Sequence, residues 1–282
     1  MDQGPEAAAP PPVVLTGLGH AGPLPCDPAS YLKVRKNRKM MGPQDDLAVV
    51  AAGKALASAG LGASLGPRAG LYAAVGYIPF EESEIALLLQ GSLEGTAFSM
   101  RRFSTDGYNA VNPLLTFRCL SNMPAFHVSV NFDLQGPYFV TYPGPGQFYV
   151  ALDEARAALA AGRVDVALVL GVAHQQNFLV KHQFARLDPP QTALADAAGC
   201  LVLERGDRAA GRVRGRLLEF ELAYAPSDPF ETSIAPSESG ADASMGPASL
   251  PVALATAGPG RRRHQLRSRD GFSASSTWSV EP

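Results

Sequence analysis

Cysteine and histidine, the side chains best suited to act as nucleophile, base or metal ligand near neutral pH, are few and scattered in this 282-residue sequence. The three cysteines, Cys26, Cys119 and Cys200, lie far apart, and no two have the spacing of a metal-ligand or redox pair. The five histidines, His20, His127, His174, His182 and His264, share no motif. His127 reads as a core or interface residue, because site histidines come with partners clustered around them. Cys119 stands in a Leu/Phe-rich stretch and Cys200 in a strand-like run, so both read as small buried hydrophobes. Gly144 and Gly146 make a poor phosphate cradle, since no lysine follows them as in a P-loop. No metal and no cofactor are expected.

One segment has the layout that chemistry uses. It is Gly136-Pro137-Tyr138-Phe139-Val140-Thr141-Tyr142-Pro143-Gly144-Pro145-Gly146, followed by an alanine-rich stretch and then the apolar run Val164 to Gly171. A sharp turn from a buried strand into a helix is where elbow enzymes place Ser or Cys. Free N–H groups and the positive end of the helix dipole there stabilise a thiolate. The nucleophile's own N–H can also bind an oxyanion.

The elements that would hold this turn alternate between strand and helix. Val13 to Gly19, Arg68 to Tyr77, Tyr138 to Tyr142, Val164 to Gly171, Cys200 to Glu204 and Val213 to Ala223 read as strands. Gln44 to Gly60, Glu81 to Gly91 and Gln147 to Ala161 read as helices, the first favoured by Asp45 and Asp46 at its start. Between Asn112 and Phe132 the periods conflict. Val128, Val130 and Phe132 alternate like a strand, while Met123, His127 and Val130 fit a helical stripe. Alternating strands and helices predict an α/β layered fold.

Composition narrows the function classes. A hydrophobic content of 46% with 18% charged residues indicates a sizeable core. The net charge of −2 gives no case for nucleic acid or an anionic membrane surface. No apolar stretch is long enough to span a membrane, and Met1 to Pro12 lacks the layout of a signal peptide. A cytoplasmic protein is expected, with residues 1–12 disordered. Beyond about Pro226 the composition shifts to Ser, Pro, Gly and Arg; Ala248 to Ala257 reads as a short helix and Arg261 to Arg269 as a solvated basic run.

The chain resembles the β-ketoacyl synthase family over roughly Val13 to Ala223. The resemblance is carried by Asn112-Pro113, Asn122-Met123-Pro124-Ala125, His127-Val128, Gly136-Pro137, the turn, and Gly162 through Gly171. Asp196 through Glu204 is similar to the family's Gly-Glu-Gly strand, with Ala195 and Ala197 at the glycines. In these synthases the turn reads Thr-Ala-Cys-Ala-Ser-Gly, which puts Pro143 at the cysteine position. Proline brings neither thiol nor N–H, while the first turn of a helix tolerates it. The family's C-terminal half also supplies two catalytic histidines, in a Gly-Thr-Gly-Thr-like segment and a Gly-His motif, and neither motif is present. Met245 to Ala257 resembles that half's late helix and Asp270 to Val280 its closing strand.

The resemblance implies a thiolase-like α/β/α/β/α fold in which a ketoacyl-synthase N-terminal-like domain spans 13–225. Residues 226–282 would form an abbreviated, partly irregular C-terminal segment. It implies no condensing activity. The role that fits is a chain-length-factor-like subunit of fatty acid or polyketide biosynthesis. Such a pseudoenzyme would form a heterodimer with an active ketosynthase and work with an acyl carrier protein. By family position, Phe117, Leu120, Met123 and Phe126 would line the acyl tunnel or the dimer seam. Two alternatives stand beside it: an acyltransferase or ketosynthase with a non-cysteine mechanism, and a truncated gene product without function.

Overall fold

The apolar runs read as strands gather into one sheet. The computed structural model describes residues 12–80, 82–118, 120–186, 193–209, 211–225, 243–267 and 271–281. Its strands are β1 (Val13–Ala21), β2 (Ala69–Val75), β3 (Leu93–Glu94), β4 (Ala97–Phe98), β5 (Tyr138–Thr141), β6 (Val166–Ala173), β7 (Ala197–Arg205), β8 (Gly215–Tyr224), β9 (Gly260–Arg267) and β10 (Phe272–Val280). Its helices are α1 (Pro43–Ser58), α2 (Glu82–Gly91), α3 (Met100–Arg102), α4 (Leu115–Arg118), α5 (Met123–Phe132), α6 (Gly146–Ala160), α7 (Phe178–Ala185) and α8 (Ser249–Thr256). β3 and β4 pair only with each other; the other strands lie in the order β5-β2-β6-β7-β1-β8-β10-β9. β5, β2 and β6 run parallel, and every later pairing is antiparallel.

Two cores sandwich the parallel part. Leu168, Leu170 and Val172 of β6, with Cys200 and Val202 of β7, pack on the side of α1 and α5. The alternate residues Ala167 and Val169, with Leu201 and Leu203, pack on the side of α6 and α8. Burial on both faces is why these strands read as near-continuous apolar runs. α1 lies against β1 at Gly17 and Gly19, where the backbone of α1 leaves no room for a Cβ. The helix starts at Pro43, whose missing N–H is no loss there, and the Asp45 carboxylate accepts the Gly42 N–H at 2.7 Å.

The C-terminal strands close over α6. β8 meets β1 through only Val14–Arg216 and Leu15–Gly215, then continues with β10 and β9. Leu266, Ala274, Trp278 and Val280 pack with Phe148, Tyr149 and Leu152 of α6, which also touches β2, β6 and β7. α6 is thereby held between the main sheet and its C-terminal extension. The layers read helix, sheet, helix, sheet. The outermost helical layer of the α/β/α/β/α scheme is absent among the described residues. In its place the outer face of β10 carries Ser273, Ser275, Thr277 and Ser279; Thr277 donates to Glu219 at 2.6 Å and Ser275 to Glu221 at 3.0 Å. On that face Ser273 is exposed, Ser275 and Ser279 are partly exposed, and Thr277 is buried.

Two expectations change in the structure. The ambiguous stretch ends in a helix, α5, whose buried Ala125, Val128 and Phe132 face α1. The basic run is no solvated irregular segment: its residues Arg261 to Arg267 belong to the outer strand β9, with His264 and Leu266 turned inward between exposed arginines. Charge concealed a period of two. The described part of segment 226–282, residues 243–267 and 271–281, contributes α8, β9 and β10 to the common core. Residues 1–11 lie outside the described residues.

Candidate functional site

The parallel strands end side by side. Ala74 of β2 pairs with Thr141 of β5 and with Gly171 of β6, so three loops leave the sheet at one edge. In open α/β sheets, ligands bind outside such carboxyl ends. The loops begin with Tyr142-Pro143, Gly76-Tyr77 and His174-Gln175. The Thr141 hydroxyl ties strand to helix, lying 3.0 Å from the Gln147 carbonyl and 3.3 Å from that of Ala73.

Pro143 occupies this turn, and its placement differs in one respect from expectation. α6 begins at Gly146, with Pro145 as its N-cap residue (φ −67°, ψ −29°). Pro143 therefore precedes the helix and is not part of its first turn. The ring still removes thiol and N–H together. Gly144 and Gly146 have no side chain, and the Tyr142 hydroxyl is engaged by the Ile78 N–H at 3.4 Å. Around the turn stand rings instead of reactive groups. Tyr77 meets Tyr142 edge-on at 6.0 Å and Phe184 edge-on at 6.2 Å.

The C-terminal segment reaches the same edge without a histidine. The Pro247 carbonyl fills the space where a Cβ on Gly171 would lie, and Gly246 (φ +55°) approaches the Gln175 side chain. His174 opens the loop after β6, with its Nε2 3.8 Å from Asp196 Oδ2, and His20 near the end of β1 lies level with Gly171 across Gly199 of β7. Gln175 is buried and its Oε1 has no hydrogen-bond partner among the described residues. His264 is elsewhere, buried on β9 with Nδ1 2.8 Å from the Tyr149 hydroxyl, and burial holds its pKa down to about 4. His127 is fully buried, as expected of a core residue, and desolvation lowers its pKa to about 4.

Neither described cysteine approaches the turn. Cys200 is fully buried on the α1 side of β7, so the sheet separates it from α6, and burial drives its thiol pKa up. Cys26 is partly buried, with its thiol pushed up to about 11, chiefly by burial. Cys119 lies outside the described residues. Among the described residues no group of His, Cys, Asp and Glu could hold a metal. No described helix is long and apolar enough to cross a membrane.

The four residues expected at a tunnel or seam divide. Phe117, Leu120 and Phe126 are 45%, 47% and 41% exposed, whereas Met123 is only 6% exposed. Val130 and Tyr138, further along the sequence, are also exposed apolar residues. Phe126 and Val130 lie one turn apart on α5. Tyr138 is half-exposed on β5, and burial of the rest of its ring raises its pKa. Leu120 lines a small cavity with Ile78, Pro79 and Pro124, and Ile78 leads to Tyr142. Beneath lies a polar pair: Asp45 Oδ2 is 3.9 Å from His127 Nε2, and burial raises the Asp45 pKa to about 7. Sequence reasoning missed Tyr77, Phe184 and Gln175. The position of Tyr77 and Gln175 just past the ends of parallel strands was the available signal for two of them.

A layered sheet with an elbow at the head of a central helix defines a condensing-enzyme scaffold, here without a nucleophile among the described residues at that elbow. The chain belongs to the β-ketoacyl synthase family: residues 17–209 match the β-ketoacyl synthase N-terminal domain. Among solved structures it is similar to a chain of the AntDE:AntF structure, described as a type II PKS acyl-carrier protein in complex with its ketosynthase bound to the hexaketide. There the TM-score is 0.71 at 14% identity, covering 96% of this chain and 99% of that one. It is also similar to a β-ketoacyl synthase from Burkholderia phymatum STM815 (TM-score 0.67, 15% identity, 96% and 100% covered). The ishigamide ketosynthase/chain length factor aligns with a TM-score of 0.67 at 17% identity, covering 96% and 100%. At these identities the likeness speaks for the fold. No curated protein matches the sequence.

Proposed function

We propose that this protein is a non-catalytic partner of an active ketosynthase, shaping the acyl pocket of a heterodimer in fatty acid or polyketide biosynthesis. The observation that carries the reading is the turn itself: Tyr142-Pro143-Gly144-Pro145 offers no sulfur for thioester exchange and, at Pro143, no N–H for an oxyanion. Pocket depth is a steric property and needs no nucleophile. The apolar surface of Phe117, Leu120, Phe126, Val130 and Tyr138 supports docking, because exposed apolar patches of this kind mark interaction sites. β5 ends the sheet, and among the described residues no strand pairs with its outer edge, which would leave that edge to a partner. An acyl carrier protein would deliver substrate to the partner's cysteine, and the assembly would work in the cytoplasm.

The test is reconstitution. Co-expressed with a cognate ketosynthase, the chain should co-purify with it in equal amounts, and Phe126→Ala should lengthen the products by enlarging the pocket. An unchanged product distribution in a complex that still assembles would count against pocket shaping. Failure to assemble would count against the partnership.

A further inference from the structure

The far edge of the sheet is built unlike the edge at β5. β9 is the last strand, paired with β10 in unbroken register from Ser273–Arg267 to Val280–Gly260, and unpaired on its other side among the described residues. It runs for eight residues with no proline and no bulge, although bulges, prolines and shortness are the usual ways of blunting an open edge. Its outward face presents Arg261, Arg263, Gln265 and Arg267 in alternation. Among the described residues, the acidic groups on that face are Glu219 and Glu221, which stand across β10 on β8 and are shared with Thr277, Arg261 and Ser275. Next to the edge a groove of about 430 Å³ is lined by Glu221, Gln265, Arg267, Ser273 and Ser275.

Charge on an edge ordinarily guards against pairing. Charge of a single sign on one face guards selectively. A second copy of β9 would set arginine against arginine, which cross-strand pairing disfavours. An extended segment with a carboxylate at every second residue would set Asp or Glu against guanidinium while its backbone completed the ladder. We propose that β9 is a docking edge for an acidic extended segment of a partner protein, added to the sheet as a further strand. This surface lies at the opposite end of the sheet from β5 and does not depend on the ketosynthase partnership.

The probe is a fluorescein-labelled peptide of alternating glutamate and valine, titrated against the whole chain by anisotropy. The expected result is saturable binding, with β9 amides protected from hydrogen exchange and binding weakened about tenfold in R261E/R263E. The same peptide methylated on its backbone nitrogens keeps its charge and should lose binding, an arm that does not rely on the variant folding. No binding would overturn the proposal. So would equal binding of the methylated peptide or of inorganic polyphosphate, which would reduce β9 to a charged patch.

Discussion

The turn ahead of α6 and the exposed side of α5 make opposite use of their residues. The turn stands where a ketosynthase reacts, yet it carries two prolines and two glycines, with aromatic rings packed beside it. α5 buries Val128 and Phe132 against α1 while turning Phe126 and Val130 to solvent. The first region keeps geometry without reactive atoms; the second keeps apolar area without a visible occupant. In the proposed function both regions would act through the shape of their surfaces. The inner and outer sides of α5 give that contrast a measurable form.

The largest effect is expected on the inner side. Phe132→Ala empties a buried ring position and should destabilise the chain by about 3–5 kcal/mol in urea unfolding. Phe126→Asp, on the outer side, should leave the isolated chain folded but weaken ketosynthase binding by about 2 kcal/mol or more. Equal effects of the two changes on stability would erase the contrast. A smaller effect concerns the pair beneath. Burial holds the Asp45 pKa near 7 against an ordinary 3.8, so the native state keeps a proton that the unfolded chain has released. Between those values stability must fall as pH rises. His127, lowered to about 4 from 6.5, acts with the opposite sign from pH 4 to 6.5. Asp45→Asn removes only the first contribution, so its stability relative to the parent should improve by ~2 kcal/mol from pH 5 to 8. A pH-independent difference would show that Asp45 is ordinary. Least of all should Arg68→Ala matter: its ion pair with Asp165 is exposed, and the midpoint of urea unfolding should stay close to that of the parent chain.

Much of this was legible in the sequence where burial is two-sided. Runs such as Val166–Ala173 and Ala197–Arg205 announce themselves because both faces need apolar residues. The turn was legible because proline is unambiguous about what it lacks. β9 was hidden by its arginines, since an edge strand buries only alternate residues and here charge fills the rest. α5 was ambiguous because Val130, exposed in the structure, fits a strand alternation with Val128 and Phe132 as well as a helical stripe with Met123 and His127. The aromatic contacts of Tyr77 and Phe184 join residues more than a hundred positions apart, which no local pattern encodes.

The claim beneath all of this is that no growing chain is held covalently here. Intact-mass spectrometry of the purified protein after incubation with acyl-carrier-protein thioesters tests it without a partner or a variant. The mass should remain that of the unmodified chain under conditions that acylate an active ketosynthase. A stoichiometric acyl adduct, on any residue, would contradict the account.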